Sequence, residues 1–593
     1  MLAPDARAVL LDQLRPPIGY RLDAAVATTF TLDLAAALVP PLAFAAIELR
    51  GTPDPVTALE AVRSCADRVD VFCQAGQIAV PAQASDLMAF LEPMVHEVRR
   101  PRPGHLFHPK IWVLRYTCDG EAPRHRLLCV TRNLTREHSW DAVVRLDGAV
   151  TGGPKAANRP LAQLLRALPW LAITSLPDAR VDRVMALADE VRHVVWERPD
   201  CVDEISFHVF GVTGVRPAPD FTGYRHLVVA PFLNDAGLDT VAPDSPNAAV
   251  VSRVDDLDRL SPDSAVRITS YVVSAVAGLD DPSGSDDPAD QQILAGLHAK
   301  LYVAERNRRA HVFIGSANAT DAAFGGNVEI LVELVGGATK LGVGTFLADD
   351  APFRAILEEY DTSGGAEPDA ADEAQRVLDD IVRDLACISY TATVNISDDD
   401  YRVAVSTQAA LPIPAGYDAT AELLTRAGEA RQLTPNEPAD AHYVGVPLAD
   451  VTPFVVLRVR SWEGLRRGTV VRAVLVNDPA GRLDEVLARQ VDTPEKFLRF
   501  LALLLGLANP ALLLNGRRHG DRARNSRTGV APGVFELVLR ALADRPDALA
   551  DLDRLVRRLQ ATDTGRRVLP DGFDTLWPTV VEAHRRLKEL RLR

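Results

Sequence analysis

The sequence predicts an α/β protein in which two mixed sheets, each flanked by helices, are related by pseudo-twofold symmetry. A C-terminal domain that is first strand-rich and then helical is expected to follow them. Three observations predict this fold class. Strand-like and helical patterns alternate up to about residue 360, one local motif occurs twice within that part, and the pattern changes beyond it. At 593 residues the chain is also too long for one compact core, so about three domains are expected.

The first predicted domain covers residues 1–180. Its strand-like runs are short, β-branched or aromatic, and bounded by polar turns, and they lie at residues 69–75, 111–116 and 127–131. Residues 181–196 have helical periodicity and end near Arg198 and Pro199. This part of the chain is the candidate boundary between the two halves.

The second predicted domain covers residues 181–362 and has strand-like runs of the same style. These runs lie at residues 227–232, 248–252, 266–273, 301–303 and 312–314. Residues 278–290 form an acidic stretch with five aspartates and no basic residue. We expect an exposed loop there, which is either a solvated segment without a role or a lid that competes with nucleic acid for the site.

A linker-like segment at residues 362–372 precedes the third predicted domain, residues 374–593. Up to about residue 476 the pattern is strand-rich with turn signals, and beyond residue 484 it is helical. The sequence does not disclose the function of this domain.

Composition excludes several classes of protein. The net charge of −15 argues against a protein that coats nucleic acid or anionic lipid with its whole surface, but it leaves room for a local basic groove. The six cysteines form no ligand-like pair, so neither a disulfide framework nor a zinc site is expected. Residues 30–48 and 497–514 are apolar but interrupted, and both are predicted to be buried core. Because the N-terminus lacks a signal-peptide pattern, a soluble, cytoplasmic protein is expected.

The strongest signal is a motif that occurs once in each half. Each copy has His-x-Lys opening a strand, a turn, a second strand that ends in Thr or Ser-x-Asn, and an acidic residue about ten positions later. In a chain with 13 histidines and six lysines, chance predicts only roughly a tenth of one His-x-Lys match. The candidate catalytic residues are His108, Lys110, Asn133 and Asp141 in the first copy and His298, Lys300, Ser316, Asn318 and Glu329 in the second.

These residue types suit phosphodiester chemistry. His and Lys two positions apart on a strand point to the same face, so both can reach one phosphate. If the two copies meet, one histidine can attack phosphorus while the other protonates the leaving oxygen, and the cations stabilise the extra negative charge. This chemistry needs no metal or cofactor, and none is expected.

The pattern resembles the phospholipase D superfamily, whose signature is His-x-Lys followed by Gly-Ser-x-Asn, over roughly residues 20–345. The resemblance implies two phospholipase D-like domains and a covalent phosphohistidine intermediate. His108 and His298 would be nucleophile and general acid, in an order that the sequence leaves open. It also implies phosphate binding by the lysines and asparagines of both copies, and orientation of the histidine rings by Asp141 and Glu329.

The chain departs from the family pattern in two places. The aspartate downstream of the lysine is replaced by Glu305 in the second copy and by Arg115 in the first, and Val130-Thr131 stands where Gly-Ser is usual. The resemblance implies that this aspartate is structural in most members, and the tyrosyl-DNA phosphodiesterase branch also lacks it. One alternative is that the first half-site is degraded. A homodimer that pairs two second halves would then replace a monomer with both half-sites.

Basic residues near the motifs favour a polyanionic substrate, so a nuclease that cleaves DNA or RNA is the first interpretation. The layout resembles bacterial phospholipase D-like nucleases that accompany helicases in restriction and phage-defence loci, which implies antiviral defence and a helicase or ATPase partner. The alternatives are a phospholipid phosphodiesterase or phosphatidyltransferase, and a nucleic-acid-binding subunit with a degraded half-site. Each basic patch can also be a solvated turn. The candidate nucleic-acid contacts are Arg102, Arg124, Arg126, Arg306, Arg308, Arg309, Arg517 and Arg518.

Overall fold

The fold is described from a computed structural model. The structure describes residues 10–45, 55–136, 139–215, 218–274, 296–367, 370–397, 400–504, 546–561, 563–570 and 573–591. The acidic stretch at residues 278–290 lies outside the described residues, as do Arg517 and Arg518. Within the described ranges the chain forms mixed sheets flanked by helices, which confirms the predicted α/β class.

The first third of the chain forms a seven-stranded mixed sheet and a short ribbon. Its strands are β1 (Arg21–Thr29), β2 (Leu32–Asp33), β3 (Val69–Gln74), β4 (Ile78–Ala79), β5 (Val95–Val98), β6 (Ile111–Thr117), β7 (Arg124–Val130), β8 (Val143–Val150) and β9 (Val194–Trp196). Its helices are α1 (Leu10–Leu14), α2 (Leu34–Ala37), α3 (Pro40–Phe44), α4 (Pro55–Cys65), α5 (Arg159–Leu171) and α6 (Asp178–Val191), with a 3-10 helix at Asp86–Leu91. The strand order in the sheet is β5-β3-β1-β6-β7-β8-β9, and β2 pairs with β4.

The next part forms an eight-stranded mixed sheet. Its strands are β10 (Val202–Phe210), β11 (Arg225–Val229), β12 (Ala248–Val251), β13 (Ile268–Val273), β14 (Leu301–Arg306), β15 (Arg309–Gly315), β16 (Glu329–Gly337) and β17 (Leu357–Glu359). Its helices are α7 (Asp235–Val241), α8 (Val254–Asp258), α9 (Pro262–Val266), α10 (Asp321–Gly325), α11 (Ala338–Leu341) and α12 (Val343–Leu347), with a 3-10 helix at Arg354–Ile356. The strand order is β10-β16-β15-β14-β11-β12-β13-β17.

The two sheets repeat one topology. In the first, β5, β3 and β1 are parallel, and β6, β7 and β8 continue antiparallel. In the second, β13, β12 and β11 are parallel, and β14, β15 and β16 continue antiparallel. The strands that follow the two His-x-Lys segments, β6 and β14, therefore hold equivalent central positions. Both are almost entirely buried, as expected for strands covered on both faces.

The C-terminal part begins with α13 (Ala370–Ala386) and two four-stranded sheets. The strands are β18 (Tyr390–Ser397), β19 (Asp400–Ala410), β20 (Tyr417–Leu423), β21 (Arg431–Leu433), β22 (Pro438–Val446), β23 (Phe454–Ser461), β24 (Arg466–Arg472) and β25 (Val474–Val476), with a 3-10 helix at Leu448–Asp450. The sheet orders are β22-β19-β18-β25 and β21-β20-β23-β24. The helices that follow are α14 (Arg482–Gln490), α15 (Pro494–Leu504), α16 (Pro546–Gln560), α17 (Asp563–Arg566) and α18 (Phe573–Arg591).

Hydrophobic cores join these parts. One core contains side chains of both large sheets, such as Val113 and Leu301, so the two halves pack directly against each other. A second core contains Trp112 of the first sheet together with Phe454 and Phe573 from the C-terminal part. The C-terminal part thus packs on the first sheet. Within the described ranges, none of the helices has the length and apolar character needed to cross a bilayer.

Candidate active site

The two His-x-Lys segments form matching structures. Lys110 lies directly before β6 and Lys300 directly before β14, each two residues after its histidine. Extended backbone places the two side chains of a segment on one face. Lys110 Nζ lies 2.7 Å from His108 Nε2, and Lys300 Nζ lies 3.4 Å from His298 Nδ1. Each ammonium also donates to the carbonyl oxygen of its own histidine, at 3.1 and 2.7 Å respectively.

A backbone bridge brings the acid of the second half to the histidine of the first. Phe107 pairs with Val328, and His108 N donates to the Val328 carbonyl oxygen at 2.9 Å. Glu329 follows Val328, and both of its carboxylate oxygens lie 3.0 Å from His108 Nδ1. The Glu329 side chain is fully buried. The first histidine is therefore oriented by a carboxylate from the opposite half.

The reciprocal bridge is looser at the side chains. Trp140 pairs with Leu297, and His298 N donates to the Trp140 carbonyl oxygen at 2.9 Å. Asp141 follows Trp140, but its Oδ1 lies 3.7 Å from His298 Nδ1. The nearer partner of that nitrogen is the Thr131 carbonyl oxygen, at 2.9 Å. A backbone carbonyl thus orients the second histidine, with the carboxylate of the first half behind it.

Three side chains donate to the buried Glu329 carboxylate. Besides His108, Ser316 Oγ donates to Oε2, and Asn327 Nδ2 donates to Oε1 at 3.2 Å. Burial alone would raise the pKa of Glu329, but the interactions with His108, Lys110 and Ser316 outweigh it and hold the pKa below its usual value. Because the carboxylate is ionised, His108 carries its proton on Nδ1 and presents the Nε2 lone pair to the site.

Burial also shifts the other titratable groups of the site. It lowers the pKa of His108 to about 4. Burial and the two nearby lysines lower the pKa of His298 to about 2. Burial lowers the pKa of Lys300 to about 7. Burial, together with repulsion from Lys300, lowers the pKa of Lys110 well below its usual value. It raises the pKa of Asp141 to about 6. A bound anion would raise the lowered pKa values of the histidines and lysines again, so the site is suited to a phosphate.

The two motif asparagines differ in their contacts. Asn133 Oδ1 accepts a hydrogen bond from Thr31 N at 3.4 Å. Asn318 Oδ1 is buried, and no group among the described residues donates to it. Asn133 is thereby tied to the loop after β1, whereas the Asn318 acceptor has no donor among the described residues.

Sequence reasoning missed several residues that touch the motif, among them Phe30 and Arg253 from distant segments. The Phe30 ring lies edge-on to the His108 ring, with centroids 5.0 Å apart, and Lys110 Nζ lies 5.9 Å from the Phe30 ring centre. Arg253 donates to the Leu297 carbonyl oxygen at 3.3 Å, beside His298. Neither residue lies near the motifs in sequence, so only the neighbouring strands that bring them there could reveal them.

The residues that replace the family aspartate have structural contacts. The buried Glu305 accepts a hydrogen bond from Val343 N at 2.7 Å. Arg115 pairs with Asp23 at 2.5 Å and with Glu190 at 3.0 Å. In the part of the chain that the structure describes, no group of three or more His, Cys, Asp or Glu side chains is placed to hold a metal ion.

Four of the six candidate nucleic-acid arginines that the structure describes lie away from the site, in or beside the hairpin turns. At about 3.3 Å per residue, Arg306 is about 20 Å along β14 from Lys300. Arg308 and Arg309 follow in the same turn, and Arg124 is opposite Tyr116 at the equivalent end of β6. These four arginines keep their charge, but they lie too far from the two histidines to contact a group bound between them.

Arg126 differs from the other candidates because it is buried. Its guanidinium donates to Asp147 at 2.6 Å and to the carbonyl oxygens of Gln13 and Arg15 at 2.7 Å each. These contacts fix the N-terminal segment to β7. The expectation that Arg126 contacts nucleic acid is therefore replaced by a structural role.

Arginines do border the site, but only one of them was among the candidates. Arg102 is exposed and donates to the Gly325 carbonyl oxygen at 2.9 Å, beside the segment that leads to His108. Arg132 lies 3.6 Å from Asp141, and Arg136 follows in the same loop. These three arginines form the basic rim of the site.

Each sheet contributes one His-x-Lys pair at the junction of the two halves, as the sequence resemblance implies for two phospholipase D-like domains. No protein-family model and no curated protein matches the chain. Among solved structures, the chain is similar to yeast tyrosyl-DNA phosphodiesterase, with 15% identity, a TM-score of 0.34, and coverage of 59% of this chain and 94% of that one.

Two further similarities have the same character. Polyphosphate kinase from Porphyromonas gingivalis is 14% identical, with a TM-score of 0.32 and coverage of 63% of this chain and 50% of that one. Phosphatidylserine synthase from Haemophilus influenzae Rd KW20 is 10% identical, with a TM-score of 0.32 and coverage of 63% and 90%. With TM-scores this low, the similarities do not bear on what this chain does, and its function has to be inferred from the site.

Proposed function

We propose that this chain is a metal-independent phosphodiesterase, specifically a nuclease that cleaves DNA or RNA through a phosphohistidine intermediate. The observation that carries the proposal is the meeting of two His-x-Lys pairs, each histidine lying beside the acid of the opposite half. Two neutral imidazoles and two lysines in one buried site can supply a nucleophile, a general acid and a clamp for phosphate oxygens. The two halves, which meet between β9 and β10, would each contribute one pair.

The contacts favour His108 as the nucleophile. When Nε2 bonds to phosphorus, the imidazole ring becomes positively charged, and a carboxylate at Nδ1 balances that charge. Glu329 lies 3.0 Å from His108 Nδ1 and is ionised. His298 has a backbone carbonyl in that position instead. His298 is therefore assigned the role of general acid.

The reaction then proceeds in two steps. A bound phosphodiester raises the pKa of His298 by its charge, so His298 enters the first step protonated. The bond from His108 Nε2 to phosphorus forms while the bond to the leaving oxygen breaks, and His298 gives its proton to that oxygen. In the second step water attacks phosphorus, His298 accepts its proton, and the nitrogen–phosphorus bond breaks. Lys110 and Lys300 stabilise the equatorial oxygens in both steps.

Nucleic acid is the favoured substrate because the rim of the site is basic. Arg102, Arg132 and Arg136 border the segments that lead to His108 and away from Asn133. Arginine is suited to successive phosphates along a polyanion. A role in bacterial antiviral defence and a helicase or ATPase partner complete the proposal, and both rest on the sequence resemblance alone. A cytoplasmic location is proposed as well, on the sequence pattern described above.

The test is a turnover assay on labelled oligonucleotides and on phosphatidylcholine, with and without EDTA. We expect cleavage of the oligonucleotide to continue in EDTA, because histidine and lysine supply all the proposed chemistry. Complete loss in EDTA that Mg²⁺ or Mn²⁺ restores would replace this mechanism with metal-assisted hydrolysis. Turnover of phosphatidylcholine alone would establish the phospholipid alternative, and binding without turnover of either would establish a nucleic-acid-binding subunit.

A further inference from the structure

We infer that an arginine-lined cleft between the first sheet and the C-terminal part binds the backbone of a single nucleic-acid strand and leads it to the active site. This inference rests on the proposed function and names the substrate form and the surface that holds it. The cleft has a volume of about 1210 Å³. That exceeds the 300–1,000 Å³ typical of small-molecule pockets, so a segment of a polymer is the better fit.

The cleft has two walls. One is formed by the loop after β1, the β4 segment and the loop after Asn133, and the other is formed by one face of the β21-β20-β23-β24 sheet. The walls touch at Gly468, where an added Cβ would lie 3.2 Å from the Val80 side chain. Thr469 Oγ1 also donates to the Ile78 carbonyl oxygen at 3.0 Å. These contacts hold the C-terminal part against the first half, so the cleft between them has fixed walls.

The C-terminal wall presents a row of arginines. Arg458 and Arg460 alternate along β23 with buried residues, and Arg460 is paired across the strands with Arg466 of β24. Strand alternation places Arg458 and Arg460 on the same face. Their apolar neighbours, such as Val459, are buried in the core on the other side. The arginine end of this face is therefore turned toward the cleft, whereas its other end, at Phe454 and Val456, packs on the first sheet.

The guanidinium groups of the cleft remain accessible although most are ion-paired. The arginines that line it are Arg136, Arg458, Arg460, Arg466 and Arg467, and the carboxylates that line it are Asp33 and Asp418. The paired arginines bond to Asp33, Glu422, Asp418 and Asp379, yet their side chains are between 41% and 70% exposed. Each guanidinium has five N–H donors, and exposed ion pairs are weak, so phosphate oxygens can take up the donors that remain. In a chain with a net charge of −15, such a row is a local exception.

The cleft opens next to the proposed nucleophile. Phe30 packs against the His108 ring, and the following residue, Thr31, lines the cleft. Consecutive Cα atoms are only about 3.8 Å apart, so the near end of the cleft adjoins the site. Thr31 N also donates to Asn133 Oδ1, and Arg136, three residues beyond Asn133, lines the cleft. A strand whose scissile phosphate lies at His108 can therefore continue into the cleft.

The lining chemistry fits a strand held by its backbone. Among the described residues, no aromatic side chain lines the cleft, so its described walls would contact phosphates and sugars without reading bases. Just beyond Arg460, the Trp462 side chain is 81% exposed, and an exposed aromatic ring beside a basic groove is suited to stacking an unpaired base. The exposed Trp462 ring is the feature that favours an unpaired strand over a duplex.

The test compares R460E/R466E with the wild type, and binding is measured in an H108A background so that the strand is not cut. The probe is a fluorescent oligothymidylate longer than the roughly 4–16 nucleotides that such a groove covers, followed by anisotropy over a range of salt. We expect affinity to fall at least about tenfold at low salt. Because each phosphate contact on a single strand contributes about 0.7 to the slope of log affinity against log salt, the slope should fall by about 1.4.

The matched control is R402E/R586E, which makes the same change of charge at two exposed arginines that do not line the cleft. Its affinity should stay within about twofold of the H108A parent. Equal losses of affinity in both double variants would show that the overall charge of the protein causes the effect, and this would overturn the inference. Tighter binding of duplex than of single strand, or binding of phosphatidylserine vesicles in place of the oligothymidylate, would overturn it as well.

A second measurement separates this inference from the proposed function. With His108 restored, the ratio of kcat/KM for the long strand to that for a dinucleotide should fall at least about tenfold in R460E/R466E. A wild-type ratio in that variant, with both substrates cut, would overturn the cleft while the nuclease stands. If the wild type cuts neither substrate, the proposed function fails, and the anisotropy result still decides whether the cleft binds the strand.

Discussion

The two half-sites share one motif but provide different environments for their histidines. His108 faces a fully buried carboxylate at 3.0 Å that also accepts hydrogen bonds from Ser316 and Asn327. His298 faces a backbone carbonyl at 2.9 Å, with the partly exposed Asp141 at 3.7 Å. The two copies of the motif thus place their histidines in different electrostatic environments. Of the two rings, His108 is the one whose positive charge the protein is arranged to balance.

This difference bears on the departures from the family pattern in the first copy. Val130 and Thr131 stand where Gly-Ser is usual, which raised the alternative of a degraded first half-site. However, Thr131 Oγ1 accepts from Ala142 N at 2.8 Å, as Ser316 Oγ accepts from Ile330 N at 3.0 Å. The hydroxyl has kept its position. The asymmetry therefore favours two specialised roles over one active and one decayed half.

The largest expected effect separates nucleophile from general acid. His108→Ala should abolish turnover, by a factor on the order of 10⁶, and His298→Ala should lower it by roughly 10²–10⁴. With a p-nitrophenyl phosphodiester, whose leaving oxygen needs no proton, His298→Ala should release about one equivalent of nitrophenol per enzyme and then stall. His108→Ala should release none. A burst in His108→Ala would reverse the assignment, and a wild-type rate there would make the first half-site vestigial.

The carboxylates should rank in the same order. Glu329→Gln removes the negative charge that balances the His108 ring. Its amide can also donate to Nδ1, which would leave the proton on Nε2. For both reasons kcat should fall on the order of 10³–10⁴. Asp141→Asn should cost only about tenfold, because the Thr131 carbonyl still holds His298. Thermal unfolding of both variants checks that they fold. Equal losses would show that the two histidines depend equally on their acids.

The pH dependence should identify Lys300. A lysine loses its charge as pH rises through its pKa, and burial lowers that of Lys300 to about 7. For the free enzyme, kcat/KM should therefore fall about tenfold per pH unit above pH 7. Lys300→Arg should move this alkaline limb to higher pH, because the guanidinium stays charged. An unmoved limb in a folded Lys300→Arg variant would assign the titration to another group.

The smallest effects should distinguish the asparagines. Asn133→Ala should raise KM by a few-fold, because its amide oxygen is already bonded to the Thr31 amide and only its Nδ2 is available for phosphate. Asn318→Ala should cost about tenfold in kcat/KM, because the Asn318 Oδ1 has no donor among the described residues and its Nδ2 can donate to a phosphate oxygen. Steady-state kinetics on a short oligonucleotide checks the order. A larger loss in Asn133→Ala would show that phosphate binding is centred on the first half.

The sequence determined the fold class of this protein and the side chains of its candidate site. Spacing of two along an extended strand is enough to place His108 with Lys110 and His298 with Lys300 on one face, because the direction of side chains on a strand is local geometry. Alternating strand and helix patterns likewise indicated two mixed sheets. Strand, helix and turn patterns depend mainly on residues that are close in sequence, so these predictions needed no knowledge of the tertiary structure.

Only the tertiary structure decided which groups meet across the halves. His108 and Glu329 are 221 residues apart, and nothing local indicates that each acid serves the opposite histidine. Nothing in the sequence distinguishes the buried Arg126 from the exposed arginines around Arg460, because the burial of an arginine depends on the distant segments that pack around it. Contacts between distant segments depend on how the sheets pack. For that reason the cleft beside the C-terminal sheet, whose role the sequence left open, became visible only in the folded chain.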